Sequence, residues 1–182
     1  PTKGPRKGHT LRVGIVSAGH GSGVLVSGEG VILTAQHVVA DAEYVAVRVP
    51  ERKGALMAEV VYENELHDVA FLKVAGSFKN FVPIPEEDPG LVTRQSVFAL
   101  GYPLDGTREY PQATAGVVSG TMKSGELQLG ISVNPGNSGG PLITKDGELG
   151  GVVVRTSDSS KGIQGIGVAV PYAVVKRYYD AR

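Results

Sequence analysis

The chain has 182 residues, 41% apolar and 20% charged, so it is long and apolar enough to bury a core as one domain or as two small lobes. Its 18 basic side chains balance 18 acidic ones, and zero net charge argues against a nucleic-acid binder driven by electrostatics. The absence of cysteine excludes thiol catalysis, disulfide bonds and cysteine-ligated zinc.

The first ten residues, PTKGPRKGHT, are basic and rich in glycine and proline, which predicts a flexible N-terminal arm over residues 1–10. This segment lacks the apolar core of a secretion signal. Elsewhere no apolar run approaches the roughly 18 residues that a membrane-spanning helix needs. The sequence therefore predicts no membrane span.

The rest of the chain consists of short runs rich in valine and isoleucine, separated by turn residues. Dense strand-length runs without amphipathic helices between them predict an all-β barrel or sandwich rather than an α/β sheet. The predicted strands are LRVGIVS (11–17), SGVLVS (22–27), GVILTA (30–35), YVAVRVP (44–50), AEVVYE (58–63), DVAFLKV (68–74), SVFALG (96–101), AGVVSG (115–120), ELQLGISV (126–133), PLITK (141–145), GGVVVRT (150–156) and IGVAV (166–170).

The connections between these strands suggest two lobes. SGEG (27–30) and KDGE (145–148) are typical of tight hairpins. The segment 82–92, VPIPEEDPGLV, holds three prolines, which deprive a ladder of donors, so it is the best candidate for a linker between lobes. We therefore expect an N-terminal lobe over residues 11–84 and a C-terminal lobe over residues 85–182.

Helix signals are few. AQHVVADA (35–42) has room for one turn or two, whereas PYAVVKRYYD (171–180) is convincing as a helix. Pro171 suits its start, and one apolar face is formed by Val174, Val175, Tyr178 and Tyr179.

Ser138 lies in the glycine-rich segment NPGNSGGPL (134–142) and matches the pattern G-x-S-x-G. In α/β-hydrolases with that pattern, the catalytic histidine follows the serine. All four histidines here precede Ser138, which excludes that class; they are His9, His20, His37 and His67.

The order histidine, aspartate, serine is instead that of the chymotrypsin-like β-barrel peptidases. His37 follows an apolar strand in ILTAQHVV, and Asp68 begins the strand in HDVAFLKV, where a carboxylate is shielded enough to orient an imidazole. Asp41 and Asp105 are rival acids, but Asp41 is very close to His37 in sequence and Asp105 lies in a turn-like loop.

His67 is read as a neighbour of this site without a role, and His20 as a loop residue near the expected cleft. The glycines around Ser138 predict an oxyanion hole, because backbone N–H groups must point at the charge that acyl transfer creates. The amides of Gly136 and Ser138 are the candidates, with that of Asn137 nearby.

The chain resembles the HtrA/Deg-type trypsin-like serine peptidases over residues 12–177. The resemblance rests on seven motifs in the family's order and spacing: GSGVLVS, ILTAQHVV, HDVAFLKV, GYPL, TAGVVSG, NPGNSGGPL and IGVAVP. It implies two six-stranded antiparallel β-barrels followed by a short C-terminal helix, with the active site in the cleft between the barrels. His37 would be the general base, Asp68 its orienting partner and Ser138 the nucleophile.

The resemblance also implies the position of the specificity pocket. The segment before the serine and a later strand would form its walls, through Ser132, Val133, Asn134, Val152, Val153 and Val154. Ser132 occupies the position where trypsins carry an acid, so we expect a small or aliphatic residue before the cut. The strand GGVVVRT is the expected edge on which a peptide substrate adds as a further strand.

The sequence predicts a serine endopeptidase that needs no cofactor or metal, since neither His-x-x-x-His nor a carboxylate cluster at ligand spacing occurs. The alternative is an inactive peptidase-like scaffold or chaperone that binds extended peptides. The family suggests an extracytoplasmic location. Its members usually continue into a PDZ domain and form trimers through aromatic residues near the N-terminus, whereas this chain ends at Arg182 and its first aromatic residue is Tyr44.

Overall fold

The computed structural model of the chain describes residues 19–50, 52–103, 109–156 and 166–182. These residues form eleven strands and two helices. The predicted N-terminal arm (1–10) and the first predicted strand (11–17) lie outside the described residues, as does Asp105. Every other predicted strand segment contains a strand.

The elements are given in chain order. They are β1 (Val24–Leu25), β2 (Val31–Thr34), α1 (Gln36–Val39), β3 (Val45–Val47), β4 (Leu56–Asn64), β5 (Val69–Val74), β6 (Ser96–Gly101), β7 (Gln112–Thr121), β8 (Leu127–Leu129), β9 (Pro141–Thr144), β10 (Leu149–Thr156), β11 (Gly167–Pro171) and α2 (Tyr172–Ala181).

Two antiparallel sheets account for all of these strands. The first has five described strands in the order β1-β2-β5-β4-β3, and the second closes into a six-stranded barrel in the order β10-β11-β8-β7-β6-β9. The prediction of an all-β double-barrel fold with a short C-terminal helix is confirmed. Both predicted hairpins are also present, with Gly30 (φ 87°) and Gly147 (φ 85°) in the left-handed region that glycine adopts at little cost.

The hydrophobic core has three parts, and one of them joins the two sheets. One cluster, which includes Phe78, packs against the first sheet. A second cluster, which includes Leu129, fills the interior of the barrel. The third cluster combines Leu33 and Phe71 of the first sheet with Val154 of the barrel and with further side chains from both. Because burial of apolar surface stabilises this joint cluster, it holds the two sheets against each other.

Helix α2 packs on the joint cluster with the predicted apolar face. Val175 is fully buried, and Val174, Tyr178 and Tyr179 are partly buried against the cluster. Pro171 is the N-cap residue, so the helix begins one residue later than the motif suggested. No helix in the described part of the chain is long and apolar enough to cross a membrane.

The segment between β5 and β6 contains the proline-rich stretch and has neither helix nor strand. The Tyr172 hydroxyl donates a hydrogen bond of 2.5 Å to the carbonyl of Pro85, which ties the start of α2 to this segment. The lobe boundary at residues 84 and 85 stays a prediction.

Candidate active site

His37 and Asp68 are brought together by strands that neighbour each other in the first sheet. His37 lies in α1, which begins two residues after the end of β2, and Asp68 immediately precedes β5, the partner strand of β2. Asp68 has φ 52°, a left-handed conformation that is uncommon outside glycine but is tolerated by aspartate and asparagine. Its amide donates to the carbonyl of Glu65 at 3.2 Å and closes the turn that presents the carboxylate.

The Asp68 carboxylate contacts His37 at two points. Oδ1 accepts the backbone N–H of His37 at 2.9 Å, and Oδ2 lies 2.7 Å from the ring atom Nδ1. An ionised carboxylate only accepts hydrogen bonds, so Nδ1 carries the proton and Nε2 is left as the basic nitrogen. This arrangement makes Asp68, rather than Asp41, the acid paired with His37.

Opposing effects act on the pKa of Asp68. Burial alone would raise it, but the hydrogen bonds from the His37 ring and the His37 backbone outweigh burial and hold the pKa below the ordinary value of 3.8. The positive charge of Arg155 adds a smaller effect in the same direction. The carboxylate is therefore ionised throughout the neutral pH range.

The backbone around Ser138 is joined to the segment that carries His37. The carbonyl of Ser138 accepts the amide of Ser22 at 2.8 Å. Gly21 lies in between, since a Cβ atom added there would be 2.5 Å from Val38 Cγ1 and 3.1 Å from the Ser138 carbonyl oxygen. Val38, the neighbour of His37 in the chain, and Ser138 thus approach the same glycine.

The hydroxyl of Ser138 donates to the carbonyl of Val154 at 3.0 Å. Within the described residues it makes no hydrogen bond to His37. The side chain is half-buried, and Val154, whose carbonyl it contacts, is 0% exposed within the joint cluster. The structure therefore places the predicted nucleophile against β10, in a rotamer whose hydroxyl bonds to the Val154 carbonyl rather than to the imidazole.

Residues 134–137 form a type II turn in the predicted oxyanion loop. The Asn137 amide donates to the Asn134 carbonyl at 3.0 Å, and Gly136 has φ 101°, as the third residue of such a turn requires. The amides of Gly136 and Ser138 donate no hydrogen bond among the described residues. These two N–H groups are available to an oxyanion, whereas the amide of Asn137, predicted nearby, already has an acceptor.

The predicted pocket residues divide into exposed and buried groups. Ser132 and Asn134 are exposed, while Val133 is 7% exposed and packs in the barrel core. The three valines of β10 are 0% exposed, with Val153 in the barrel core and its neighbours in the joint cluster; they are Val152, Val153 and Val154. The side chains of these three valines are therefore not accessible at the surface.

One edge of β10 is open near the site. β10 pairs with β11 up to Thr156, with an irregularity between Val153 and Arg155. On its other edge it pairs with β9 only as far as Val152, and Val153 bonds to Gly139 and Gly140. Beyond Val153, that edge has no strand partner in the described part of the chain.

Arg155 at this edge forms an ion pair that the sequence analysis did not predict. Its guanidinium lies 2.7 Å from Glu126 Oε1 and donates to Oε2 at 2.8 Å, and Ser124 donates to the same carboxylate. Burial would raise the pKa of Glu126, but the hydrogen bonds from Arg155 and Ser124 hold it below its ordinary value. The partners are 29 residues apart, too far for any local pattern to reveal the pair.

Two other histidines lie close to the site. His67 Nδ1 is 2.8 Å from the Tyr178 hydroxyl of α2, and His20 Nε2 is 3.3 Å from the carbonyl of Tyr102. Ser22, the first residue of the predicted strand SGVLVS, was not predicted as a site residue but is buried against the oxyanion loop. A serine between two glycines is its one local mark in the sequence. No metal-binding group of histidine and carboxylate side chains occurs among the described residues.

Comparisons with known proteins identify the family to which the chain is similar. The family model described as "Trypsin-like peptidase domain" matches residues 21–152. A relative from Pseudomonas fulva, named a probable periplasmic serine endoprotease DegP-like, is 36% identical over 88% of this chain and 34% of its own length. A relative of the same name from a Marinomonas species is 34% identical with the same coverage.

A solved structure with the same fold is the serine endoprotease from Yersinia pestis, with a TM-score of 0.73 and 33% identity over 88% of this chain and 56% of that one. The chain spans about a third of the length of the curated relatives named above. With a family match over more than half of its residues, the chain belongs to the trypsin-like peptidase domain family, as an HtrA/Deg-like member.

Proposed function

We propose that the protein is a serine endopeptidase that cleaves peptide bonds through an acyl-enzyme on Ser138. The observation that supports it best is the two-point contact between Asp68 and His37, which leaves Nε2 of His37 as the basic nitrogen. The amides of Gly136 and Ser138, which donate no hydrogen bond among the described residues, supply the second requirement of acyl transfer, a site for the oxyanion.

The reaction begins with a rotation of the Ser138 side chain. Turning the hydroxyl from the Val154 carbonyl to His37 Nε2 creates the nucleophile–base pair and uncovers a backbone acceptor on β10. An N–H of the substrate then takes the place of the hydroxyl at Val154. Substrate binding and activation of the nucleophile are coupled, because the substrate N–H and the resting Ser138 hydroxyl compete for the Val154 carbonyl oxygen.

His37 then takes the hydroxyl proton as Ser138 attacks the substrate carbonyl, while the amides of Gly136 and Ser138 stabilise the oxyanion. Asp68 stabilises the imidazolium that forms. The imidazolium returns the proton to the leaving amine, and a water molecule, activated by His37, releases the acyl group.

The open edge of β10 is where we place the substrate strand, which adds by main-chain hydrogen bonds. A small or aliphatic residue before the cut agrees with the absence of an acid at the exposed Ser132. The Arg155 guanidinium does not favour acidic residues strongly, because Glu126 already pairs with it. The printed names of the relatives support an extracytoplasmic location for this chain.

Substitution of Gly136 by alanine should lower kcat by about 10²–10³-fold, the usual loss when one oxyanion donor is misplaced. A Cβ atom there would overlap the Tyr102 carbonyl oxygen and lie 2.7 Å from His20 Nε2, on a backbone with φ 101°. Gly147→Ala is the matched control, since Gly147 has φ 85° but no atom within 4 Å of the added Cβ. Equal losses of activity in the two variants, measured with one fluorogenic peptide, would count against the assigned oxyanion loop.

Labelling with a fluorescent fluorophosphonate, alongside digestion of a peptide library, tests the proposed activity. We expect the wild type to be labelled and to cut after small or aliphatic residues, and the Ser138→Ala variant to do neither. A folded wild type that is neither labelled nor active would favour the alternative of a scaffold that binds extended peptides. Cleavage after basic or acidic residues would refute the substrate preference alone.

A further inference from the structure

Ser22 is a buried polar residue in contact with the oxyanion loop, and both its backbone and its hydroxyl form hydrogen bonds with distant parts of the chain. It is 6% exposed. Its amide donates to the Ser138 carbonyl at 2.8 Å, and its carbonyl accepts the Thr34 hydroxyl at 2.7 Å. The backbone of Ser22 is therefore fixed both to the nucleophile and to the end of β2, two residues before α1.

The side chain of Ser22 has a defined direction of hydrogen bonding. The Tyr102 amide, which only donates, lies 3.0 Å from Oγ, so Oγ accepts there and directs its own proton to the Gly136 carbonyl at 2.5 Å. One hydroxyl thus links the end of β6 with the peptide between Gly136 and Asn137. These partners are 80 and 114 residues away in sequence.

The peptide that Ser22 holds lies between the two candidate oxyanion donors. With the Gly136 carbonyl bonded to Ser22 and the Asn137 amide bonded to Asn134, both polar groups of this peptide are fixed. The amides on either side, those of Gly136 and Ser138, donate to no acceptor in the part of the chain that the structure describes. The Ser22 amide fixes the Ser138 carbonyl as well, so one residue holds two carbonyl groups of the loop, those of Gly136 and Ser138.

We propose that Ser22 is a positioning residue for the oxyanion hole: its hydroxyl keeps the Gly136–Asn137 peptide oriented so that the flanking amides point at the reacting carbonyl. The inference rests on the proposed peptidase function. Ser22 does not touch the substrate, so its loss weakens binding of the transition state while leaving binding of the substrate ground state nearly unchanged.

The test compares Ser22→Ala with Thr144→Val, which removes another buried hydroxyl, 3% exposed, from the β9–β10 hairpin. We expect Ser22→Ala to lower kcat by about 10- to 100-fold, less than the 10²–10³-fold loss of a whole donor. KM should change little, and affinity for a peptide aldehyde, which forms a tetrahedral adduct, should fall in parallel with kcat. Thr144→Val should retain wild-type values of all three.

Ser22→Cys provides a second variant in case Ser22→Ala does not fold, since a thiol of similar shape is a weaker donor and should give a smaller loss of the same kind. A wild-type kcat in folded Ser22→Ala and Ser22→Cys would overturn the inference, as would a loss confined to KM. An inactive wild type would refute the proposed function instead, so the two failures are distinguishable in one set of measurements.

Discussion

Replacing Ser138 by alanine should lower kcat for peptide hydrolysis by about 10⁶-fold, and His37→Ala should cost nearly as much. Neither side chain works without the other, because Ser138 needs a base to take its proton and His37 has no other nucleophile of the protein to activate. The double variant should therefore be no less active than Ser138→Ala alone. Steady-state rates for a fluorogenic peptide, with thermal unfolding as a check on the fold, measure this non-additivity.

Ser77→Ala is the control, because Ser77 is an exposed serine in the segment between β5 and β6. This substitution should leave both activity and stability unchanged. Losses that multiply in the double variant would show that Ser138 and His37 act independently, which is incompatible with the proton transfer proposed between them. The described rotamer, with the hydroxyl on Val154, makes this test informative, since the functional pairing depends on a side-chain rotation.

Much of the fold could be predicted because its signals are local. The run VILT of β2 is completely buried and lies between turn residues, so apolar content alone identified it. The segment 126–133 was predicted as one strand, but β8 covers only Leu127–Leu129. Ile131 and Val133 are apolar because they pack into the barrel core, and the sequence does not distinguish such packing from ladder pairing.

Only the part of the candidate site that chain order and motifs identify could be predicted. The order of His37, Asp68 and Ser138 identified the class, and the observed contact between the first two agrees with it. The contacts of Ser22 with Gly136 and of Arg155 with Glu126 depend on how the lobes and strands are assembled. No periodicity or spacing encodes such long-range pairs, so the supporting residues of the site emerged from the structure alone.

Asp68→Asn should lower kcat by about 10⁴-fold while preserving the fold. Two N–H groups of His37 face this side chain, one from the backbone and one from Nδ1, and each needs an acceptor. Asparagine has one acceptor and one donor group, so either the backbone contact fails or Nδ1 becomes the acceptor. In the second case the proton moves to Nε2, and the imidazole no longer accepts the proton of Ser138. Asparagine also tolerates the φ of 52° at this position, which separates the chemical effect from backbone strain.

The same substitution should also change how the free energy of unfolding depends on pH. Since the pKa of Asp68 is lower in the folded protein than its ordinary value of 3.8, its ionisation stabilises the fold above that pH, and the contribution is lost as the pH falls through the folded-state pKa. Asparagine does not titrate, so the gap in unfolding free energy between wild type and Asp68→Asn should narrow as the pH falls below about 4. Urea unfolding over this range measures the gap. A gap independent of pH, together with a kcat close to that of the wild type, would mean that the carboxylate neither gains stability from His37 nor sets the tautomer of its ring.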